Sequence, residues 1–190
     1  MTVQRTSIFF LLVLAIAFVG CEPNNPFDRG PVYDVAGNLE RDSLLIVDYL
    51  ETAEIDSLYR IHDPSGVVII VQEEGEGSRP TTGNIVYTNY IGSLMSDGAV
   101  FDTNIEQVAK DNDMFEENKV YLPFDFQLVG QGQQSGVIQG WQIGFRRLRS
   151  GSKAVVIIPS TWAYRNNPPN GSNIPDDAIL LFDVEVKGID

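Results

Sequence analysis

The chain has almost none of the side chains on which most catalytic and metal centres depend. One of its 190 residues is a cysteine, Cys21, and one is a histidine, His62. A lone cysteine excludes a disulfide within the chain, and the scarcity of both residue types excludes the groupings that structural zinc requires. His62 is far in sequence from any nucleophile pattern, so histidine-assisted nucleophilic catalysis is not expected. We predict neither a metal nor a cofactor.

Basic residues are also scarce. The chain carries 13 Lys and Arg against 26 Asp and Glu, for a formal net charge of −13. A nucleic-acid-binding surface needs a surplus of positive charge on one face, so nucleic acid is not expected as a partner. The acidity is typical of a soluble exported surface and defines no site.

Long apolar runs are missing except at the N terminus. Arg5 precedes an apolar run over 8–19 that is too short to span a membrane, and we interpret residues 1–20 as a secretion signal. Cys21 follows directly and resembles the lipid-attachment cysteine of bacterial lipoproteins. The resemblance predicts a chain anchored by lipid to a membrane of a bacterial cell envelope, with its folded part outside the cytoplasm, on the periplasmic or surface side. The alternative is a signal with a coincidental cysteine.

A tether and a helix are predicted before the main body. Residues 21–37 are rich in Pro, Asn and Gly, which is typical of a tether. Residues 38–56 are predicted to form an amphipathic helix with Asn38 as its N-cap. Its apolar face is predicted from Leu39, Ser43, Ile46, Leu50 and Ala53. This helix could pack on its own domain, residues 57–190, or mediate self-association, and the oligomeric state stays open.

Runs of β-rich sequence dominate the main body. They lie at 58–61, 67–71, 85–91, 122–129, 153–158 and 178–186. The first two flank Asp63-Pro64-Ser65-Gly66, a turn sequence that predicts a hairpin. In the last run Phe182 alternates with Asp183 and Glu185, which places the aromatic ring in the core and the acids in water. The pattern predicts a largely antiparallel sheet and an α+β fold.

A short helix is predicted in mid-chain. Val137 and Ile138 suit an extended segment, and Gly140 permits a sharp change of backbone direction before Trp141. One face of the helix is predicted from Trp141, Phe145 and Leu148, with Gly151 as a left-handed C-terminal cap. A helix that begins with a tryptophan needs a sheet to pack on, and strands precede and follow it.

Short motifs in register over about residues 65–189 carry a more specific resemblance. They are Tyr90-Ile91-Gly92, Gly98 with Val100-Phe101-Asp102, Pro123-Phe124-Asp125-Phe126, Val137-Ile138-Gln139-Gly140-Trp141, Gly151 with Lys153, Ala163-Tyr164, Ile174-Pro175 and Leu181-Phe182-Asp183-Val184-Glu185. Together they resemble the FKBP-type peptidyl-prolyl cis/trans isomerases. The resemblance implies an FKBP-like antiparallel half-barrel sheet wrapped on one short helix, here with an N-terminal helix and hairpin appended.

The resemblance also implies a proline-binding cavity and a set of site residues. Its implied catalytic residues are Tyr90, Asp102 and Tyr164. Its implied substrate-binding residues are Phe101, Phe124, Val137, Ile138, Trp141, Ile174 and Phe182, with Trp141 as the floor. The implied partners are proline-containing unfolded or folding polypeptides, and macrolide inhibitors are candidate ligands. No matched residue precedes Tyr90, so the N-terminal helix is expected to be dispensable for the reaction.

The sequence departs from the family at the rim of this cavity. The segment 103–122 and the segment 130–136 are longer than in small members, and Arg165 replaces the glycine that usually follows the Tyr164 position. These departures concern substrate preference and macrolide affinity. They leave open a non-catalytic chaperone or peptide-binding lipoprotein with the same fold, and a purely structural envelope lipoprotein is a third interpretation.

Overall fold

A computed structural model describes residues 32–130 and 132–190, which contain three α-helices and seven strands. The helices are α1 (Val35–Thr52), α2 (Glu106–Asp111) and α3 (Gln139–Phe145). The strands are β1 (Tyr59–His62), β2 (Val68–Glu73), β3 (Ile85–Leu94), β4 (Val100–Thr103), β5 (Phe124–Gln127), β6 (Lys153–Ile158) and β7 (Leu180–Ile189). A 3-10 helix, Ser160–Trp162, follows β6. Residues Asp34–Asp190 form one compact unit.

All seven strands belong to one sheet, and every pairing in it is antiparallel. The order is β1-β2-β6-β7-β3-β4, and β5 pairs with β3 beyond the end of β4. The predicted α+β fold with an antiparallel sheet is confirmed. The hairpin β1-β2 extends this sheet, because β2 pairs with β6. Long strands β3 and β7 pair in the middle, with Tyr90 opposite Val184 and Gly92 opposite Phe182.

The main core lies between one face of the sheet and α3. Trp141, Phe145 and Leu148 are buried, as their spacing predicted, although Leu148 follows the end of the helix. The prediction that Gly140 makes a sharp turn is wrong, since it lies inside α3. A Cβ on Gly140 would lie 2.2 Å from Ile158 Cγ2, so the missing side chain is what lets α3 approach β6.

Gly151 was predicted as the C-terminal cap of the short helix, and this is wrong. The helix ends at Phe145, six residues earlier. Gly151 does have a left-handed backbone, with φ of +91°, as predicted. It lies in the turn before β6, where its N–H donates to the carbonyl of Val186 at 2.8 Å. The left-handed conformation of Gly151 thus forms part of the turn that leads into β6.

The N-terminal helix covers the opposite face of the sheet. It begins earlier and ends earlier than the predicted range 38–56. The prediction of Asn38 as its N-cap is wrong. The N-cap is Asp34, whose carboxylate accepts the N–H of Gly37 at 2.9 Å. Ile46 packs in a second core with residues of β2, β6 and β7. Ser43 is exposed, so its place on the predicted buried face is wrong, and Asp42 is fully buried instead. Ile46 is buried and Leu39, Leu50 and Ala53 are partly buried, as predicted.

Three elements were not predicted. The segment 103–122 contains α2, whose residue Ala109 is buried. The strand β4 was noted only as a motif, and the 3-10 helix Ser160–Trp162 was not predicted. The predicted signal 1–20, Cys21 and most of the predicted tether 21–37 lie outside the described residues. Within residues 32–130 and 132–190, no helix is long and apolar enough to cross a membrane. The same residues hold no cluster of His, Cys, Asp and Glu that could bind a metal ion.

Candidate active site

A cavity of about 350 Å³ opens between α3 and the sheet. Its size falls in the range of small-ligand sites, which begins at about 300 Å³. Every cavity residue predicted from the sequence lines it except Ile174. The lining residues are Tyr90, Phe101, Asp102, Phe124, Ser135, Gly136, Val137, Ile138, Trp141, Tyr164 and Phe182. Four strands, one helix and two connecting segments thus contribute residues to the same cavity.

Trp141 forms the centre of an aromatic cluster. Its ring lies 5.2 Å from that of Tyr90 and 5.2 Å from that of Phe182, at interplanar angles of 81° and 89°. Phe124 also meets it edge to face, at 5.7 Å and 86°. Edge-to-face contacts place the positive edge of one ring against the negative face of another, which holds the rings at fixed angles. Trp141 is 4% exposed and Phe124 37% exposed, as suits a floor and an open wall.

Gly92 makes room for two rings of the wall. It lies on β3 opposite Phe182 on β7 and Asp102 on β4. A Cβ on Gly92 would stand 2.8 Å from the Phe101 ring and 2.9 Å from the Phe182 ring. The two rings meet edge to face at 5.7 Å over this gap. Glycine at this position is therefore required by the packing of the wall.

Tyr90 and Asp102 form the main polar pair of the cavity. The Tyr90 hydroxyl donates to the Asp102 carboxylate at 2.7 Å. Burial, followed by the bond to this carboxylate, raises the pKa of Tyr90 far above its ordinary value of about 10. Asn104 accepts the backbone N–H of Tyr90 and Thr103 donates to its carbonyl, each at 2.7 Å. These bonds hold the ring in place and keep its hydroxyl protonated.

Several hydrogen-bond donors among the lining residues are unused within the described part of the chain. The Trp141 indole N–H is buried and has no partner among the described residues. The Tyr164 hydroxyl and the backbone N–H of Ile138 likewise donate to no other described residue. Burial, and then the charge of Asp102, raises the pKa of Tyr164, so its hydroxyl keeps its proton. The Tyr164 hydroxyl and the Ile138 N–H both suit a bound carbonyl oxygen.

The segment before α3 is positioned by Gln142, which is 3% exposed. Its amide nitrogen donates to the carbonyl of Gln127 at 3.0 Å and to the hydroxyl of Ser135 at 2.8 Å. Its amide oxygen accepts the N–H of Val129 at 3.0 Å. The Ser135 hydroxyl also accepts the N–H of Val137 at 3.2 Å, so this network joins α3, the end of β5 and the cavity wall. The sequence prediction missed Ser135 and Gly136 as lining residues, because neither carries a pattern of its own.

Ile174 departs from the prediction. It is buried at 7% exposure in the main core and does not line the cavity. At the rim, Arg165 takes φ of +57°, the left-handed region that glycine favours. Arg165 therefore replaces the family's glycine at a position whose backbone conformation favours glycine. The Arg165 Nε atom donates to the carbonyl of Thr161 at 2.9 Å.

The long segment 103–122 builds a second cavity of about 390 Å³ beside the first. The two cavities share Phe101 and Asp102. Phe115 and Tyr121 stack at 5.9 Å in this segment, and Phe115 is 43% exposed. The segment thus adds a concave surface against the same wall.

Comparison with known proteins agrees with this architecture. The sequence profile of the FKBP-type peptidyl-prolyl cis-trans isomerase family matches residues 76–187. FK506-binding protein 4 of Rhizopus delemar is 34% identical over 125 residues, which cover 65% of this chain and 27% of that protein. A probable FKBP-type peptidyl-prolyl cis-trans isomerase FkpA of Neisseria meningitidis is 36% identical over 125 residues, 66% of this chain and 38% of that protein. The chain thus spans well under half of these relatives.

Solved structures show the same fold at lower sequence identity. A peptidyl-prolyl cis-trans isomerase from Pseudomonas syringae aligns with a TM-score of 0.58 at 20% identity, over 84% of this chain and 98% of that one. FkpA from Escherichia coli aligns with a TM-score of 0.55 at 24% identity, over 98% of this chain and 70% of that one. With the family profile matching more than half of its residues, the chain belongs to the FKBP-type peptidyl-prolyl cis-trans isomerase family.

Proposed function

We propose that this protein isomerises X-Pro bonds of unfolded or folding polypeptides. The observation that carries the proposal is the aromatic cavity over Trp141, with unused donors at Tyr164 and Ile138. A proline ring fits an apolar cavity of this size, and the donors suit the carbonyl oxygens on either side of it. No nucleophile or general base is needed, because the reaction breaks no covalent bond.

The chemistry follows from the amide itself. Rotation about the C–N bond has a barrier of roughly 18–20 kcal/mol because the planar form is stabilised by resonance. Twisting removes the conjugation, and the twisted carbonyl is less dipolar than the planar one. Transfer from water to an apolar wall formed by Phe124, Trp141 and Phe182 therefore costs the twisted amide less free energy than the planar amide. The barrier to rotation is lower at this wall than in water. A donor adds selective stabilisation through its position, if a substrate carbonyl reaches it only when the amide is twisted.

The geometry of the cavity supports a proposed role for each of these residues. Trp141, Phe124 and Phe182 receive the proline ring, and the Tyr164 hydroxyl and the Ile138 N–H hold the substrate carbonyls. Asp102 orients the Tyr90 hydroxyl through the 2.7 Å bond between them. This pair shapes the wall beside the bound ring, and it has no proton to transfer in the reaction.

Cis/trans exchange in short Ala-Pro and Leu-Pro peptides tests the proposal. The protein should accelerate exchange, and Tyr164→Phe should slow it by about tenfold or less, since one hydrogen bond contributes about 1 kcal/mol. Phe124→Ala should cost more, because a bound proline ring buries the exposed Phe124 side chain, and burying an aromatic side chain contributes roughly 1.5–3 kcal/mol. Tyr87→Phe is the matched control, because the Tyr87 hydroxyl bonds Asp190 outside the cavity. Circular dichroism checks that each variant is folded.

The same assay separates the rival function. Wild-type protein that binds unfolded chains but leaves peptide exchange at its uncatalysed rate would show a peptide-binding chaperone with this fold. The left-handed Arg165 at the rim is the feature that could produce that outcome, since it stands next to Tyr164. Arg165→Gly in the same assay then tests whether the rim is responsible.

We further propose that the protein is a lipoprotein of a bacterial cell envelope, anchored through Cys21 with the domain outside the cytoplasm. The support is the sequence pattern of residues 1–21, in which an apolar run is followed by Gly20 and the single cysteine. Cys21→Ala should release the protein from membrane fractions. Retention of this variant after a salt wash would contradict the anchor.

A further inference from the structure

One buried carboxylate joins the N-terminal helix to the segment that carries Tyr164. Asp42 lies on the sheet-facing side of α1 and is 0% exposed. Its Oδ2 atom accepts the backbone N–H of Ser160 at 2.7 Å and the Ser160 hydroxyl at 2.6 Å. Its Oδ1 atom pairs with the Arg41 guanidinium at 2.5 Å. Such a carboxylate has both oxygens bonded, which is the condition under which a charge is tolerated in a core.

Ser160 passes this restraint on to both neighbours of Tyr164. Its carbonyl accepts the N–H of Ala163 and the N–H of Arg165, each at 3.1 Å. Ser160 is therefore held by Asp42 through its two donors and holds the chain on both sides of Tyr164 through its acceptor. Ser160 lies only four positions before Tyr164, whose hydroxyl lines the cavity.

The far end of the same segment is tied to the same helix. The Arg41 guanidinium donates to the carbonyl of Asp177 at 3.2 Å and to the Ser160 hydroxyl at 3.2 Å. The N–H of Asp177 in turn donates to the carbonyl of Arg165 at 2.8 Å. Neighbouring residues of α1 thus contact both ends of the segment 160–177, across more than 115 positions of sequence.

We propose that the Arg41–Asp42 pair positions Tyr164 for the reaction. This inference rests on the proposed role of the Tyr164 hydroxyl as a donor to a substrate carbonyl. The helix contributes no side chain to the cavity, yet it fixes the backbone from which Tyr164 projects. On this proposal α1 is coupled to the active site, which is the opposite of the expectation that the helix is dispensable for the reaction. A displacement of the Tyr164 donor by a fraction of an ångström weakens a bond that must form in the transition state.

The test uses point variants of the full chain. Asp42→Ala should lower kcat by about fivefold and change KM by less than about twofold, because the lost interaction is made in the transition state. Asp48→Ala is the matched control, since Asp48 is exposed on the same helix. It should leave both constants unchanged. Rates are measured well below the unfolding temperature of each variant, so that loss of folded protein does not enter.

A double-mutant cycle with Tyr164→Phe distinguishes positioning from a general loss of structure. If Asp42 acts through the Tyr164 hydroxyl, Asp42→Ala should cost less than about 1.5-fold when Tyr164→Phe is already present. An equal loss in both backgrounds overturns the inference, and so does a rate that Asp42→Ala leaves unchanged.

The same cycle separates this inference from the proposed function. A rate lowered by Tyr164→Phe but not by Asp42→Ala overturns the coupling alone. A rate unaffected by Tyr164→Phe refutes the proposed role of that hydroxyl and the coupling with it, while wild-type acceleration of exchange still supports the isomerase activity.

Ser160→Ala provides a variant that is expected to fold even if Asp42→Ala does not. It removes the hydroxyl bond to Asp42 and keeps the backbone bond. Hydrogen exchange of the Ala163 and Arg165 amides should become faster, while the amide of Val184 in the central strand pair should not change. Unchanged exchange at Ala163 and Arg165 would overturn the inference independently of any activity measurement.

Discussion

The Tyr90 hydroxyl donates a 2.7 Å hydrogen bond to the Asp102 carboxylate across the pairing of β3 with β4. The bond places a charged acceptor at the wall of an otherwise aromatic cavity. It satisfies the hydroxyl of a ring that is 9% exposed and that contacts the Trp141 floor. The wall is thus fixed by one polar bond and several ring contacts.

The activity should not depend on pH in the neutral range. Burial is the main reason that the pKa values of Tyr90 and Tyr164 are raised, and the Asp102 carboxylate raises both further. Both hydroxyls therefore remain protonated between about pH 6 and about pH 9. We expect a flat profile of kcat/KM across this interval, measured with one proline peptide. A bell-shaped profile would require other groups that titrate in this interval and control the reaction, and it would contradict the prediction.

Stability should fall on the alkaline side. A raised tyrosine pKa means that the folded protein holds the proton more tightly than the unfolded chain does. The resulting stabilisation is complete below the unfolded value of about 10 and is lost as the pH rises above it. Urea unfolding at about pH 9 and about pH 10.5 should therefore show a decrease in stability that is smaller for Tyr90→Phe. An identical decrease in the variant would contradict the raised pKa.

Gly92→Ala should damage the cavity wall. The added methyl group would lie 2.8 Å from the Phe101 ring and 2.9 Å from the Phe182 ring, closer than atoms in contact can approach. Such overpacking costs typically about 1–3 kcal/mol, and the displaced rings should also slow peptide isomerisation. Gly188→Ala is the control in a strand, because its methyl group would meet Tyr87 at an ordinary 3.8 Å. Equal stability of the two variants in urea would argue against this packing.

Gly140→Ala should force α3 away from β6. The new Cβ would lie 2.2 Å from Ile158 Cγ2, and Trp141 is the next residue of the helix. We expect a loss of stability larger than that of Gly92→Ala. Ile158→Ala removes the clashing atoms, so the double variant should be more stable than the sum of the two single losses predicts. Strict additivity would show that the clash is relieved elsewhere.

Asp34→Ala should weaken the start of α1. The Asp34 carboxylate accepts the N–H of Gly37, one of the donors left unpaired at a helix N-terminus. Loss of such a cap costs about 1 kcal/mol, which urea unfolding can measure. Asp34→Asn keeps a side-chain oxygen at the cap and should be close to wild type. A loss of similar size in both variants would point to the charge and not to the hydrogen bond.

Local periodicity in the sequence determined the framework around the cavity. The alternation in 178–186 placed Phe182, Val184 and Val186 inside, and all three are buried. The spacing of Trp141, Phe145 and Leu148 defined one buried face in the same way. Both patterns succeed because the side-chain repeat of a strand or a helix depends on the backbone alone. The motif resemblance then supplied the cavity residues, and Ile174 is the one that the structure places elsewhere.

Only the tertiary structure decided how distant segments meet. Gly140 was interpreted as a turn because a glycine in sequence indicates backbone freedom, whereas its role comes from Ile158 on a strand that follows it. Asp42 lies on the buried face of α1, and the local sequence pattern does not indicate a partner for a buried carboxylate. The reason for its burial is Ser160, 118 positions away. Close approach and buried pairing depend on atoms from separate elements, so no local pattern in the sequence encodes them.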